Sequence, residues 1–209
     1  MATASADARH NLVRRGLYLN YLTIAYNTLE AVASVIVGII AGSIALVSFG
    51  FDSVIELSAG VAAQWRLRAE VDATRREDAE RWTRRIVGWS FIALGAYITY
   101  ESCRSLWYED RPEGSLVGVL ILAASIVVMP LLARAKRRVA RGLASHALAS
   151  EATQTALCAY LSAIALAGIG LNTLFGWWWA DPAAALLMVP IVVHEGVEGL
   201  RQVCSDDCC

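Results

Sequence analysis

The feature that most constrains this chain is a series of six apolar segments, each about 20 residues long or longer. An α-helix needs about 20 predominantly apolar residues to cross the hydrocarbon core of a bilayer. The segments cover approximately residues 16–41, 43–65, 86–106, 115–135, 147–175 and 179–199. The chain has 209 residues, 57% of them hydrophobic, and a mean hydropathy of +0.49. Because soluble domains average about 45–50% apolar residues, the sequence predicts an all-α membrane protein, a bundle of six transmembrane helices.

The basic residues are sorted between the two sides of this predicted bundle. All but two of the 18 lysines and arginines lie before the first segment, in the second or fourth connection, or after the sixth segment. The exceptions are Arg104 and Arg111. The predicted connection between the fourth and fifth segments contains Arg134, Lys136, Arg137, Arg138 and Arg141. Because cytoplasmic loops carry the excess of basic residues, both termini are predicted to be cytoplasmic.

The predicted bundle takes up most of the chain. Residues 1–15 form a polar N-terminal segment without the pattern of a cleaved signal peptide, residues 16–201 form the transmembrane domain, and residues 202–209 form a cysteine-rich cytoplasmic tail. The net charge of −1 gives no support to nucleic-acid binding. No nucleophile–base set or cofactor motif indicates an enzyme. The lipid bilayer is therefore the first expected partner.

Asp52 and Glu56 lie in the middle of the second apolar segment. Charged groups are costly in hydrocarbon, so such residues usually face the interior of a bundle and serve function. Residues four apart on a helix share one face. The pair is therefore predicted to bind a cation through its oxygens, or to exchange protons with one.

The fifth segment carries Gln154 and Cys158 at the same spacing, with Glu151 one turn earlier. Counting inward along the two helices brings Asp52 and Cys158 to a similar depth. The two pairs could therefore meet as one site of two carboxylates, an amide oxygen and a thiol. Such a set suits Zn²⁺ or a softer divalent transition metal. The alternative for Cys158 is simple packing, because free cysteines are often buried.

Other polar residues within the segments are candidates for proton relay or for support of the ligands. They are Asn27, Glu30, Glu101 and Glu151. Hydrogen bonding between helices is the alternative role for such residues.

The tail contains thiols beside carboxylates, which can capture soft or borderline cations. The residues concerned are Cys204, Asp206, Asp207, Cys208 and Cys209. Lipid modification is the alternative, although the ending does not have the C-a-a-X form that directs prenylation.

Several stretches resemble the cation diffusion facilitator family. Residues 27–60, NTLEAVASVIVGIIAGSIALVSFGFDSVIELSAG, resemble the first two helices of that family, with Asp52 and Glu56 at the positions of its second-helix ligand pair. YESCRSL at residues 100–106 and GWWWADPAAALLM at residues 176–188 resemble its third helix and the start of its sixth. The resemblance covers roughly residues 15–200.

The resemblance implies export of a divalent cation of the Zn, Cd or Co class from the cytoplasm, usually by proton antiport. The metal would be the substrate, with no prosthetic group, and the location would be the cell membrane. The family usually has His-x-x-x-Asp on its fifth helix, where this chain has Gln154 and Cys158. That departure leaves open the ion and the transport competence. A non-transporting metal-binding regulator and an organic-cation exporter are the alternatives.

The family's cytoplasmic C-terminal domain has no counterpart in this sequence, so the chain resembles the family's short form. Dimerisation through that domain is not implied. The membrane part could still form a homodimer.

Overall fold

The computed structural model describes residues 2–68, 73–143 and 146–206. They form the helices α1 (Ala2–Ala41), α2 (Ile44–Arg68), α3 (Ala73–Tyr108), α4 (Leu116–Leu143), α5 (His146–Phe175) and α6 (Ala180–Asp206). No strand occurs within these described ranges. The prediction of an all-α fold with six helices is confirmed. α1 and α3 begin well before the corresponding apolar segments, because the polar stretches that precede those segments are also helical.

Five of the helices contain a stretch long and apolar enough to cross a membrane: α1, α2, α4, α5 and α6. The apolar character of α3 is diluted by its tryptophan and tyrosine side chains and by Glu101 and Arg104. α3 nevertheless packs along α6. A Cβ atom on Gly88 would lie 3.0 Å from the carbonyl oxygen of Gly196, and one on Gly196 would lie 2.9 Å from the carbonyl oxygen of Gly88. Only glycine permits this approach of two helix backbones, as at other close helix contacts in membranes.

The turn between α1 and α2 is fixed to α6 by Asp181. Gly42 in this turn has a φ of 64°, a conformation that glycine adopts without steric cost. The hydroxyl of Ser43 donates to Oδ1 of Asp181 over 2.5 Å, and the backbone amide of Ile44 donates to Oδ2 over 2.8 Å. A carboxylate that accepts from the first amides of a helix stabilises its N-terminus. Asp181 therefore sets the position of α2 relative to α6.

Lys136 lies within α4, which continues to Leu143. Its side chain is 2% exposed. Lys136 is therefore part of the packed helix α4 and not of an exposed connection between α4 and α5. The cause is that α4 extends past its apolar part and remains packed against its neighbours there.

Candidate functional site

A small cavity lies between α2, α3, α5 and α6, and the four predicted metal ligands line it. Asp52 and Glu56 come from α2, and Gln154 and Cys158 come from α5. The cavity measures about 20 Å³. A cavity needs about 10–15 Å³ to hold one water molecule, so this one has room for a single small species. The two i, i+4 pairs recognised in the sequence thus meet in space.

The surroundings of the predicted ligands are buried and, apart from the ligands themselves, largely apolar. Asp52, Glu56 and Cys158 are all buried. The rest of the cavity wall is mostly apolar and includes Phe91 and Val192. Electrostatic interactions are stronger in such surroundings than in water, so the carboxylates strongly favour a nearby positive charge or a proton.

One oxygen of Glu56 already has a close neighbour. The hydroxyl of Thr155 lies 2.9 Å from Oε1 of Glu56, to which it donates, and its alternative acceptor is the carbonyl oxygen of Glu151, also 2.9 Å away. Oε2 of Glu56 is buried and has no hydrogen-bond partner among the described residues. A buried carboxylate oxygen without a partner is costly, so this atom is available to a proton or a cation.

A second cavity, of about 10 Å³, lies between α1, α2, α4 and α5. Its polar lining consists of Thr23, Asn27, Glu56, Lys136, Glu151 and Gln154. Nζ of Lys136 lies 3.4 Å from Oε2 of Glu151 and 3.4 Å from the hydroxyl oxygen of Thr155. Because Glu56 and Gln154 line both small cavities, the predicted supporting residues Asn27 and Glu151 lie next to the predicted ligands.

Glu30 links α1 to the same region. Its Oε2 accepts a hydrogen bond of 3.0 Å from the hydroxyl of Ser53 and lies 4.0 Å from Sγ of Cys158. Its Oε1 is buried without a hydrogen-bond partner among the described side chains. Glu30 is therefore close enough to influence the thiol that was predicted as a ligand.

Glu101 lies apart from the other predicted residues. It pairs with Arg104 at 3.1 Å and lines a much larger cavity, of about 960 Å³, between α2 and α3 beside the α1–α2 turn. Ile55 lines both this large cavity and the small one that contains the predicted ligands. The side chain of Ile55 therefore forms part of the wall between the two.

The predicted tail site cannot be located in the same way. Cys204 and Asp206 belong to the end of α6, but their side chains lie outside the described part of the structure. Asp207, Cys208 and Cys209 lie outside the described residues altogether.

Three residues near the site were not predicted from the sequence as site residues. They are Lys136, Thr155 and Glu195. Glu195, on α6, lines the cavity that holds the predicted ligands. It could have been found by the criterion applied to Asp52, because it is an acidic residue within an apolar segment. Lys136 gave no comparable signal, because a basic residue at the end of a segment fits membrane topology equally well.

In this conformation the cavity is not a closed metal site. Among the residues that the structure describes, no three His, Cys, Asp or Glu side chains form a group that could hold a metal ion. Glu56 is engaged by Thr155, and Cys158 lies beside Glu30. Binding of an ion would therefore require these side chains to rearrange.

A bundle of long apolar helices is the architecture of an integral membrane protein, and a buried cavity lined by carboxylates, an amide and a thiol suits a cation. Residues 21–206 match the family described as the cation efflux transmembrane domain. The chain belongs to this family, as its sequence predicted. No curated protein matches the chain.

Members of this family are transporters of divalent metal cations and not enzymes. The protein is therefore an integral membrane transporter of cations, which agrees with the general function predicted from the sequence.

Proposed function

We propose that this transporter exports a divalent heavy-metal cation, of the Zn, Cd or Co class, in exchange for protons. Asp52, Glu56 and Cys158 would be the ligands, with Gln154 as a neutral partner. What supports the proposal above all is that these four side chains, from two different helices, line one cavity of about 20 Å³.

The chemistry of the ligands supports both the ion class and the exchange for protons. A thiolate favours softer ions over Mg²⁺ or Ca²⁺. Carboxylates and thiols bind metal in their deprotonated form, so protons and metal compete for the same groups. Glu30 and Glu151 are the groups we propose for proton relay, because Glu30 lies beside Cys158 and Glu151 lines the second small cavity together with Glu56 and Gln154.

Two features suggest the route of the ion. The small cavity and the large cavity of about 960 Å³ share Ile55 in their walls. α3 and α6 pack backbone to backbone at Gly88 and Gly196. Movement of this helix pair against the other four helices would open the small cavity past Ile55, and Glu101 would then meet the ion in the large cavity.

We propose that both termini are cytoplasmic, because the basic residues cluster beside the same ends of the apolar segments, and that the membrane is the cell membrane. Residues 16–201 act as the transport domain, after the N-terminal segment 1–15. The tail, residues 202–209, gathers metal ions near the cytoplasmic entrance through its thiols and carboxylates. A homodimer formed through the membrane part is the proposed assembly.

The experiment is uptake of Zn²⁺ or Cd²⁺ into inside-out membrane vesicles, with and without a pH gradient. The native protein should accumulate metal faster when the gradient drives protons out of the vesicle. Asp52→Ala should abolish this uptake. Glu113→Ala is the matched control, because it removes an exposed carboxylate far from the cavity, and it should transport normally.

The outcomes separate the proposals. Absence of metal uptake by the native protein would overturn metal export. Metal uptake that proceeds at the same rate with and without the pH gradient would overturn proton antiport but not metal export. Metal binding without flux would favour a regulator, and gradient-dependent flux of organic cations instead of metals would favour an organic-cation exporter.

A further inference from the structure

Lys136 is a buried positive charge inside a transporter of cations. Among the side chains that the structure describes, it is the one basic residue that is buried. Burial of an ammonium group is costly unless the group is paired and hydrogen-bonded. A positive charge also repels the substrate, so its position beside the proposed metal site requires a reason.

Lys136 contacts one carboxylate directly and is linked to a second through Thr155. Its Nζ lies 3.4 Å from Oε2 of Glu151. The same Nζ atom also lies 3.4 Å from the hydroxyl oxygen of Thr155. That hydroxyl oxygen lies 2.9 Å from Oε1 of Glu56. Lys136 and Glu56 also line the same cavity of about 10 Å³ and interact electrostatically. The positive charge of Lys136 is therefore close enough to compensate both Glu56, a proposed ligand, and Glu151.

We infer that Lys136 is a tethered counter-cation that competes with the transported metal for Glu56. In the empty transporter its charge compensates Glu56 and Glu151 together. When a metal ion binds at Asp52 and Glu56, Glu151 alone retains the ammonium group. This inference rests on the proposed function of the site.

Such competition has a use in transport. A carrier that binds its substrate too tightly cannot release it, and Glu56 would be an uncompensated acid in hydrocarbon whenever neither metal nor a proton occupies it. A built-in cation lowers the affinity for metal and also compensates the empty site. The simpler alternative is that the Lys136–Glu151 pair only ties α4 to α5.

The two explanations differ in the sign of their effects on metal affinity. If the pair is merely structural, Lys136→Met and Glu151→Gln should shift affinity in the same direction. If Lys136 competes with metal, Lys136→Met should tighten binding at least about tenfold, because removing a unit charge near a divalent ion relieves repulsion of that order even at the permittivity of water. Glu151→Gln should weaken binding, because Lys136 then has only Glu56 to pair with and competes more strongly with the metal for that carboxylate.

The measurement is isothermal titration calorimetry of the purified full chain in detergent, with Zn²⁺ and with Cd²⁺. Lys136→Arg keeps the positive charge, so its metal affinity should stay close to that of the native protein. Arg138→Met is the matched control, because it removes an exposed positive charge from the same helix, and it should leave affinity unchanged.

A double variant guards against misfolding. Lys136→Met combined with Glu151→Gln removes both charges of the pair, so Glu151 is not left as an unpaired buried carboxylate. It should still bind metal more tightly than the native protein, and in vesicle transport it should lower both KM and kcat.

Affinities of Lys136→Met and of the double variant that equal the native value or fall below it would overturn the inference alone. If the native protein binds neither ion, the proposed metal site fails and the inference fails with it. A native protein that binds metal, with opposite shifts in Lys136→Met and Glu151→Gln, would support both.

Discussion

The hydroxyl of Thr155 lies 2.9 Å from Oε1 of Glu56, and this contact joins α5 to α2 at the proposed metal site. The same hydroxyl lies 3.4 Å from Nζ of Lys136. Thr155 thus stands between a proposed ligand and a buried cation. Because the contact occupies one oxygen of Glu56, it must break before that oxygen can bind an ion.

We expect Thr155→Val to destabilise the protein. The change keeps the shape of the side chain but leaves Glu56 and Lys136 with one polar neighbour fewer, and an unsatisfied buried group costs about 1–3 kcal/mol in the free energy of unfolding. Denaturant unfolding in detergent micelles measures this cost. Thr155→Ser keeps the hydroxyl, so its free energy of unfolding should be close to that of the native protein. Equal stability of the valine and serine variants would show that the contact contributes nothing.

Cys158→Ser should change the metal preference of the transporter. Replacing a soft sulfur by a hard oxygen should weaken Cd²⁺ binding about tenfold and Mn²⁺ binding much less, because thiolates prefer softer ions. Competition titrations with the two metals measure the ratio. Cys103→Ser is the control, because Cys103 is an exposed free cysteine. If Cd²⁺ and Mn²⁺ affinities fall equally, Cys158 packs the core and is not a ligand.

Glu195→Gln should weaken metal binding about threefold to tenfold. Glu195 lines the same cavity as Asp52 and Cys158 but is only partly buried, so its negative charge should attract the ion with an energy reduced by solvent screening. Calorimetry with Zn²⁺ checks the effect. Glu198→Gln provides the comparison, because Glu198 is exposed and pairs instead with His194 at 3.6 Å. A loss of affinity in Glu198→Gln as large as that in Glu195→Gln would contradict a specific role for Glu195.

Gly196→Val should loosen the α3–α6 pair. A Cβ atom at this position would lie 2.9 Å from the carbonyl oxygen of Gly88, and forcing extra atoms into a packed contact typically costs about 1–3 kcal/mol. Thermal unfolding in detergent should show a lower midpoint, and metal flux should fall if the pair moves as a unit. Gly170→Ala should be harmless, since nothing lies within 4 Å of its added Cβ. A native-like midpoint in Gly196→Val would mean that the two helices can separate at no cost.

The sequence by itself determined the kind of fold and the centre of the candidate site. Apolar segments of membrane-spanning length require helices, because a helix satisfies its own backbone hydrogen bonds in lipid. Asp52 and Glu56, with Gln154 and Cys158, were recognisable because residues four apart on one helix share a face and intramembrane polar groups are rare. Both signals are local, so they can be read without knowing how the helices pack.

The tertiary structure decided how these groups are partnered. Only the packing of α4 against α5 shows that Lys136 pairs with Glu151 inside the bundle, and only the position of α6 brings Glu195 to the cavity. Packing likewise places Glu101 at the large cavity between α2 and α3. The rotation and depth of each helix depend on contacts between residues far apart in the chain, such as Asp181 with the start of α2. The composition of the individual segments does not predict those contacts.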